Sequence, residues 1–82
     1  MDAITELAPL RLAAELRESI LRGDFRNGER LPAERSLADT HGLARGTVRE
    51  ALRLLEQGGL IARRRGSGNY VNYPAEDEAG ER

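Results

Sequence analysis

The sequence predicts a small, mainly α-helical domain with one β-hairpin, organised around one helix in its second half. In that stretch four apolar residues recur at positions i, i+3, i+4 and i+7, which places them along one buried stripe of a helix. They are Val48, Ala51, Leu52 and Leu55. Arg45, Arg49 and Arg53 recur every fourth residue and form a second ribbon on the same helix. The pair Gly58–Gly59 then ends the helix, because glycine accepts the left-handed conformation of a helix C-terminus.

A first helix is predicted over Leu10–Arg22. Pro9 suits a first helical turn, and Gly23 suits the end of a helix. The apolar residues of this segment fit one stripe, formed by Leu12, Ala13, Leu16, Ile20 and Leu21. Residues 1–8 carry little pattern, so we expect a flexible N-terminus there, or an extension of the first helix.

A connector and a second helix follow. Residues 24–29 are predicted to form a turn, in which Asn-Gly is the strongest signal and Phe25 fills the core beside the first helix. Arg30–Leu31 is a candidate edge strand, because a proline follows it. Residues 33–41 are predicted to form the second helix, which ends at Gly42.

The pattern changes after the third helix. Residues 60–62 are apolar, residues 63–65 are three arginines, and residues 66–68 (Gly-Ser-Gly) indicate a turn. Residues 69–73 then alternate between polar and larger side chains, as a strand does. This succession predicts a β-hairpin with a basic, glycine-rich tip.

These elements together predict a winged helix-turn-helix of three helices plus a wing. A helix, a short glycine turn and a second helix form the helix-turn-helix, whose second helix reads DNA in the major groove. The hairpin that follows is the wing. The chain then divides into a flexible N-terminus at 1–8, the winged helix-turn-helix at 9–73, and an acidic tail or linker at 74–82.

The net charge of −1 conceals an uneven distribution. Residues 35–66 hold seven arginines and three acidic residues, a net charge of +4, whereas residues 75–82 hold four acidic residues and one arginine, a net charge of −3. All thirteen basic residues are arginine. Genomic base composition is a sufficient cause, although the planar fork of arginine also fits phosphate and guanine edges better than lysine does.

Several functional classes are disfavoured. The chain has no cysteine, which excludes disulfides and thiolate metal sites, and it has no apolar run of the roughly 18 residues that span a bilayer. The first residues lack the basic region of a secretory signal. The only histidine, His41, suits a helix C-terminus better than a metal site. We therefore expect a cytoplasmic protein without membrane, metal or cofactor.

Four blocks of the chain match a known pattern in order. They are 31–35 (Leu-Pro-Ala-Glu-Arg), 43–52 (Leu-Ala-Arg-Gly-Thr-Val-Arg-Glu-Ala-Leu), 59–61 (Gly-Leu-Ile) and 65–71 (Arg-Gly-Ser-Gly-Asn-Tyr-Val). Together they resemble the amino-terminal domain of the GntR family of bacterial transcription regulators, over about residues 9–72. The resemblance implies a winged helix that binds operator DNA as a dimer. The glutamate at position 50, directly after Arg49, resembles the pattern of the family branch whose ligand-binding domain is all-helical.

The residues that we expect to contact DNA are Arg35, Arg45, Gly46, Thr47, Arg49, Arg65, Gly66 and Ser67. The resemblance implies base contacts from Arg35, Arg45 and Arg49, and backbone or minor-groove contacts at the wing tip. The residue types favour the same role for Arg45 and Arg49, since each fork can bind guanine O6 and N7 for about 1–3 kcal/mol of discrimination. Thr47 could contact a phosphate or a thymine methyl, or form only a local hydroxyl bond.

The remaining charged residues have local alternatives. Arg53 is expected to pair with Glu50 or Glu56 rather than contact DNA, and Arg35 could pair with Asp39 four residues on. The arginines at 63–65 would alternate along a strand, so the first and third share a face, and Arg65 is expected near phosphate or in the minor groove. No lysine or helix follows the Gly-Ser-Gly tip, which disfavours a nucleotide-binding loop.

Two positions depart from the family pattern. Ala44 stands where the family usually has serine or threonine, which removes a helix cap and an expected phosphate contact. Gly46 stands where threonine is frequent, which weakens the first turn of the helix. The base preference therefore follows less directly from the resemblance than the fold does.

The sequence argues against two other functions. A protein-interaction winged helix should expose apolar residues outside the core stripe of its third helix, but those positions are Gly46, Glu50, Arg53 and Gln57. An enzyme would need a nucleophile with a base or a carboxylate pair in an apolar pocket, and neither is evident.

The sequence also bears on domain content and on association between copies. No segment resembles the ligand-binding and dimerisation domain of the family, so we expect a DNA-binding domain alone. The first helix shows no long apolar seam, which predicts a monomer or weak association off DNA. Two copies would then each read one half-site of a pseudo-palindromic operator.

Overall fold

The computed structural model describes residues 2–73, with side chains from Leu7 onward. It contains three helices and a two-stranded antiparallel hairpin, as predicted. The elements in order are α1 (Asp2–Arg22), α2 (Glu34–His41), α3 (Arg45–Gln57), β1 (Ile61–Arg64) and β2 (Gly68–Val71). The predicted acidic tail at 74–82 lies outside the described residues.

Helix α1 begins earlier than the helix predicted over Leu10–Arg22. It extends from Asp2, so Pro9 lies inside the helix and residues 2–8 form the extension that was one of the two expectations for this segment. A proline inside a helix removes one backbone donor and crowds the residue before it, so it weakens the helix there, but α1 continues through it. The first-turn preference of proline therefore did not locate the start.

The core consists of one stripe from each helix, Leu31 from the segment before α2, and the base of the hairpin. Its buried members are Leu12, Ala13, Leu16, Ile20, Leu31, Leu37, Ala38, Val48, Ala51, Leu52, Leu55, Ile61 and Val71. Val48 is fully buried, and Phe25 packs against the cluster, as predicted. Leu21 does not belong to the stripe of α1. Its side chain is 45% exposed, because it follows Ile20 directly and points about 100° away from it around the helix.

The turn between α2 and α3 sets the position of the third helix. Gly42 adopts the left-handed conformation with φ of 66°, and the amide of Leu43 donates to the carbonyl of Ala38 at 3.0 Å. This bond satisfies a carbonyl that the end of α2 would otherwise leave free. The chain is thereby turned so that α3 starts at Arg45, three residues later.

The hairpin is joined to the core at its base and leaves it toward the tip. Ile61 pairs with Val71, and both are buried, whereas Arg64 pairs with Gly68 next to the turn. The predicted edge strand is present as a single bridge between Arg30 and Tyr70. Backbone bonds on either side of this bridge, including Leu31 N to Asn69 O at 2.8 Å, attach the segment before α2 to β2.

Helix α1 also exposes apolar side chains that the sequence pattern did not predict. Leu7, Leu10 and Leu21 are 47%, 56% and 45% exposed. Leu10 and Leu21 line a surface groove with Leu54 and Leu60. Within residues 2–73, no helix has the length and hydrophobicity needed to cross a bilayer.

Candidate nucleic-acid interface

The first turns of α3 expose a basic surface on top of a buried stripe. Arg45, Gly46 and Arg49 are exposed and Thr47 is half-buried, while Val48 between them is fully buried. The stripe therefore fixes the rotation of the helix and turns the arginines outward.

The N-terminus of α3 has no side-chain cap. Ala44 has extended backbone at φ −71° and ψ 150°, and its side chain makes no capping hydrogen bond. Its carbonyl accepts from Thr47 N at 3.0 Å and from Val48 N at 3.2 Å. The remaining donors of the first turn are thus available to solvent or to a ligand such as a phosphate.

A carboxylate from α2 lies between the two arginines of α3. Glu34 accepts from Arg49 through both oxygens, with Arg49 Nε to Oε2 at 3.1 Å and Nη2 to Oε1 at 3.2 Å. Arg45 Nη2 lies 3.7 Å from Oε1 of the same carboxylate, which is an ion pair without a hydrogen bond. The Glu34 side chain is only 20% exposed, whereas those of Arg45 and Arg49 are 59% and 57% exposed.

The charges around Glu34 reinforce this arrangement. The hydrogen bond from Arg49 lowers the pKa of Glu34, partial burial opposes the shift, and the positive charges of Arg49, Arg45 and Arg63 lower it further. The same hydrogen bond raises the pKa of Arg49. Glu34 is therefore ionised at neutral pH, and one negative charge lies among three positive ones.

The wing carries its own cation and hydroxyl contacts. The Arg64 guanidinium lies 4.7 Å from the centre of the Tyr70 ring, and the Tyr70 hydroxyl bonds to the Ser67 hydroxyl. Arg65 was predicted to lie on a strand, and this prediction is wrong. Strand β1 ends at Arg64, and residues 65–67 form the turn. Arg65 nevertheless shares a surface groove with Arg63, as the predicted alternation also implied.

A groove connects the start of α2 with the wing tip. It is lined by residues of both elements, including Pro32, Glu34, Arg63, Gly66 and Ser67. Since Glu34 also contacts both arginines of α3, the first turns of α2 and α3 and the wing tip form one continuous surface, which we call the basic face.

The other predicted site residues have the following places. Arg35 is exposed beside Glu34 in the first turn of α2, and the ion pairs among residues 7–73 do not include one between Arg35 and Asp39. Arg53 pairs with Glu50, as predicted, with Nε to Oε1 at 3.0 Å.

Glu34 is the residue that sequence reasoning missed. It stands 15 positions before Arg49, so no helical spacing could connect the two. Its only signal was its place in the Leu-Pro-Ala-Glu-Arg block beside Arg35.

Three helices, a glycine turn and a basic hairpin define this domain as a winged helix-turn-helix. The chain matches the family described as bacterial regulatory proteins, gntR family, over residues 9–71, most of its length. It therefore belongs to the gntR family, and the winged helix is the DNA-binding domain of these transcription regulators.

Individual relatives agree with this assignment. The chain is 42% identical over 71 residues to the HTH-type transcriptional regulator Rv0792c of Mycobacterium tuberculosis, covering 87% of this chain and 26% of that protein. It is 44% identical over 71 residues to the Exu regulon transcriptional regulator of Escherichia coli K12, covering 84% and 28%. The chain thus spans about a quarter of the length of these curated relatives.

Solved structures show the same fold. A transcriptional regulator GntR of Rhodococcus sp. RHA1 superposes with a TM-score of 0.75 at 33% identity, covering 89% of this chain and 35% of that one. The DNA-binding domain of AraR, crystallised in complex with operator ORR3, superposes with a TM-score of 0.75 at 26% identity, covering 78% of this chain and 77% of that one.

Proposed function

We propose that this domain binds a pseudo-palindromic operator in a sequence-specific manner, with α3 in the major groove and the wing on the adjacent backbone or minor groove. The observation that carries the proposal is the basic face, where the exposed arginines of α3 start a helix whose opposite side is buried. Helix-turn-helix proteins contact base edges with the N-terminal residues of this helix.

The arginines supply the base contacts in this proposal. Arg35, Arg45 and Arg49 project from the first turns of α2 and α3, the part of the motif nearest the groove. A guanidinium fork that meets guanine O6 and N7 contributes about 1–3 kcal/mol of discrimination. Gly46 and Thr47 lie between two of these arginines. The Gly46 amide belongs to the uncapped start of the helix and can donate to phosphate, whereas Thr47 can offer its hydroxyl.

The wing tip supplies contacts that position the domain. Arg65, Gly66 and Ser67 form the turn of the hairpin, and all three are exposed. Gly66 has φ of 76° and no side chain, so the backbone of the turn can approach DNA closely. Such contacts carry affinity but little sequence information.

Assembly on DNA follows from the symmetry of operators. We propose that two copies bind adjacent half-sites, in the bacterial cytoplasm, and that the domain itself has no catalytic role. The AraR domain in complex with its operators and the regulators named above support DNA as the partner.

A protein-interaction role has less support on α3. The outer positions of the helix, Gly46, Arg53 and Gln57, are exposed and polar or lack a side chain. Protein-binding helices instead present contiguous apolar surface.

The proposal is tested by selecting bound sequences from a random DNA pool and measuring affinity for the selected operator and for a scrambled duplex. We expect a specific site and a steep loss of affinity with salt, since phosphate contacts release counterions. Arg45→Ala should weaken operator binding more than scrambled binding, whereas Arg17→Ala, an exposed arginine of α1 beside Leu54, should leave the ratio unchanged. Enrichment of no sequence, or equal losses on both duplexes, would contradict the proposal.

A further inference from the structure

We infer that Glu34 is a positioning residue for DNA recognition, which holds the Arg49 guanidinium from one edge and leaves the other edge free for a guanine. The inference rests on the proposed function, in which Arg49 contacts a base. The carboxylate is thereby part of the recognition apparatus, although it carries the same charge as DNA.

The hydrogen bonds define which edge of the guanidinium is used. Arg49 donates to Glu34 through Nε and Nη2, the side-on edge of the fork. A guanidinium carries five N–H donors, so the two donors of Nη1 and the second donor of Nη2 remain free. One donor of Nη1 and the free donor of Nη2 form the end-on edge of the fork, which matches the O6 and N7 acceptors of guanine. Holding Glu34 and binding guanine are therefore compatible in one conformation of Arg49.

Glu34 is itself held in place, which a positioning role requires. It begins α2, whose Leu37 and Ala38 are buried in the core, and its side chain is 20% exposed, much less than that of Arg49. The carboxylate is therefore the fixed partner of the pair, and the longer arginine side chain is the one that gains order. Ordering a flexible side chain before binding removes part of the entropy cost of the complex.

Glu34 also keeps the two recognition arginines together. Arg45 and Arg49 share the same carboxylate, and Arg63 adds a third positive charge nearby. Without the carboxylate, like charges would repel one another and favour other rotamers. With it, both forks stay on the basic face before DNA arrives.

The chain contains a matched pair for the experiment. Glu50 binds Arg53 in the same side-on manner, with Nε to Oε1 at 3.0 Å and Nη2 to Oε2 at 2.6 Å, but both residues belong to α3 and neither touches Glu34. Glu34→Gln and Glu50→Gln remove the same charge from the same domain. Both raise affinity for any DNA through simple electrostatics, so only a change in base discrimination separates them.

The test begins by finding the base pair that Arg49 reads. Every position of the selected operator is replaced in turn, and affinities are measured for the parent and for Arg49→Ala. A position that the parent discriminates and Arg49→Ala does not is the Arg49 position. If the parent has no such position, the proposed base contact of Arg49 fails, whatever Glu34 does.

At that position we expect Glu34→Gln to reduce discrimination about two- to tenfold, while Glu50→Gln keeps the parental value. Discrimination is a ratio of two affinities of one sample, so a partial loss of folded protein cancels. Parental discrimination in Glu34→Gln would overturn the inference. In the Arg49→Ala background, Glu34→Gln should change nothing further at this position. A persisting change there would mean that Glu34 acts on the base without Arg49, and would also overturn it.

Discussion

The two halves of α3 are built in opposite ways. The N-terminal half starts at an uncapped Ala44, includes Gly46, and has its Arg49 bound to a residue of another helix. The C-terminal half has its Arg53 bound within the same helix and ends in a hydrogen-bonded glycine cap. In this cap the Gly59 amide donates to Glu56 and the Leu60 amide to Leu55, at 3.0 and 3.1 Å.

The difference shows where order in the recognition helix comes from. The C-terminal half is stabilised by its own sequence, through local pairs and a glycine cap. The N-terminal half depends on the core through Val48 and on α2 through Glu34. The half that we propose faces DNA therefore keeps backbone donors free for a ligand, at some cost in its own helical stability.

The largest expected effect is a difference in operator affinity between variants of Arg49 and of Arg53. Arg49→Ala should weaken binding to the selected operator about 5- to 150-fold, since a guanine contact contributes about 1–3 kcal/mol. Arg53→Ala, which removes an equal charge from the next turn, should change affinity far less, because Arg53 lies about two turns from the start of α3, outside the basic face. Fluorescence anisotropy with labelled operator at one fixed salt concentration measures both. Equal losses would show that only net charge matters and would remove the distinction between the halves.

The next effect is a change in the free energy of unfolding, which has opposite signs at the two ends of α3. Gly59 has φ of 81° and Gly46 is helical, and a Cβ at either position would meet no atom within 4 Å. Gly59→Ala should therefore lower the free energy of unfolding by about 1–2 kcal/mol through backbone strain alone. Gly46→Ala should raise it by about 0.5–1 kcal/mol. Urea unfolding followed by circular dichroism tests the signs. A loss on Gly46→Ala would mean that the N-terminal half is not limited by its helical propensity.

A serine at the start of α3 tests the missing cap directly. Ala44 already has the extended backbone of a capping residue, so Ala44→Ser only adds an acceptor for the free amides of the first turn. We expect a rise of about 1 kcal/mol in the free energy of unfolding. Thermal unfolding provides the comparison, and an unchanged midpoint would show that this end of α3 is already satisfied.

The smallest effect is a pH dependence of stability. The pKa of Glu34 in the folded chain is lowered, chiefly by Arg49, so its contribution is present above the ordinary carboxyl pKa and is lost as pH falls through the lowered value. Glu34→Gln should therefore be slightly less stable than the parent at about pH 7, and this deficit should shrink as pH falls through the lowered pKa of Glu34. Glu50→Gln should show the same sign with a smaller size, because Glu50 is 44% exposed. A deficit of Glu34→Gln that persists in acid would have a cause other than charge.

Local patterns predicted most of the fold. The stripe around Val48 and the glycines after Gln57 located α3, and the spacing of Arg53 from Glu50 predicted their pair. These signals depend on residues within one or two turns of each other, which the sequence displays directly.

What the sequence did not show depends on tertiary placement or on ambiguous signals. Pro9 is compatible with both the start and the interior of a helix, so the sequence left open whether the residues before it extend α1, and the structure shows that they do. Leu21 is apolar like the residues of the α1 stripe, but its side chain points away from the core. The contact between Glu34 and Arg49 exists only because the turn at Gly42 folds α2 against α3. The DNA contacts themselves remain predictions.

The most direct measurement is selection of bound sequences from random DNA with three proteins, the parent, Arg49→Ala and Arg53→Ala. If the N-terminal half of α3 reads bases and the C-terminal half does not, Arg53→Ala selects the parental motif, and Arg49→Ala loses the preference for guanine at one position of each half-site. A parental motif selected unchanged by Arg49→Ala would contradict the account.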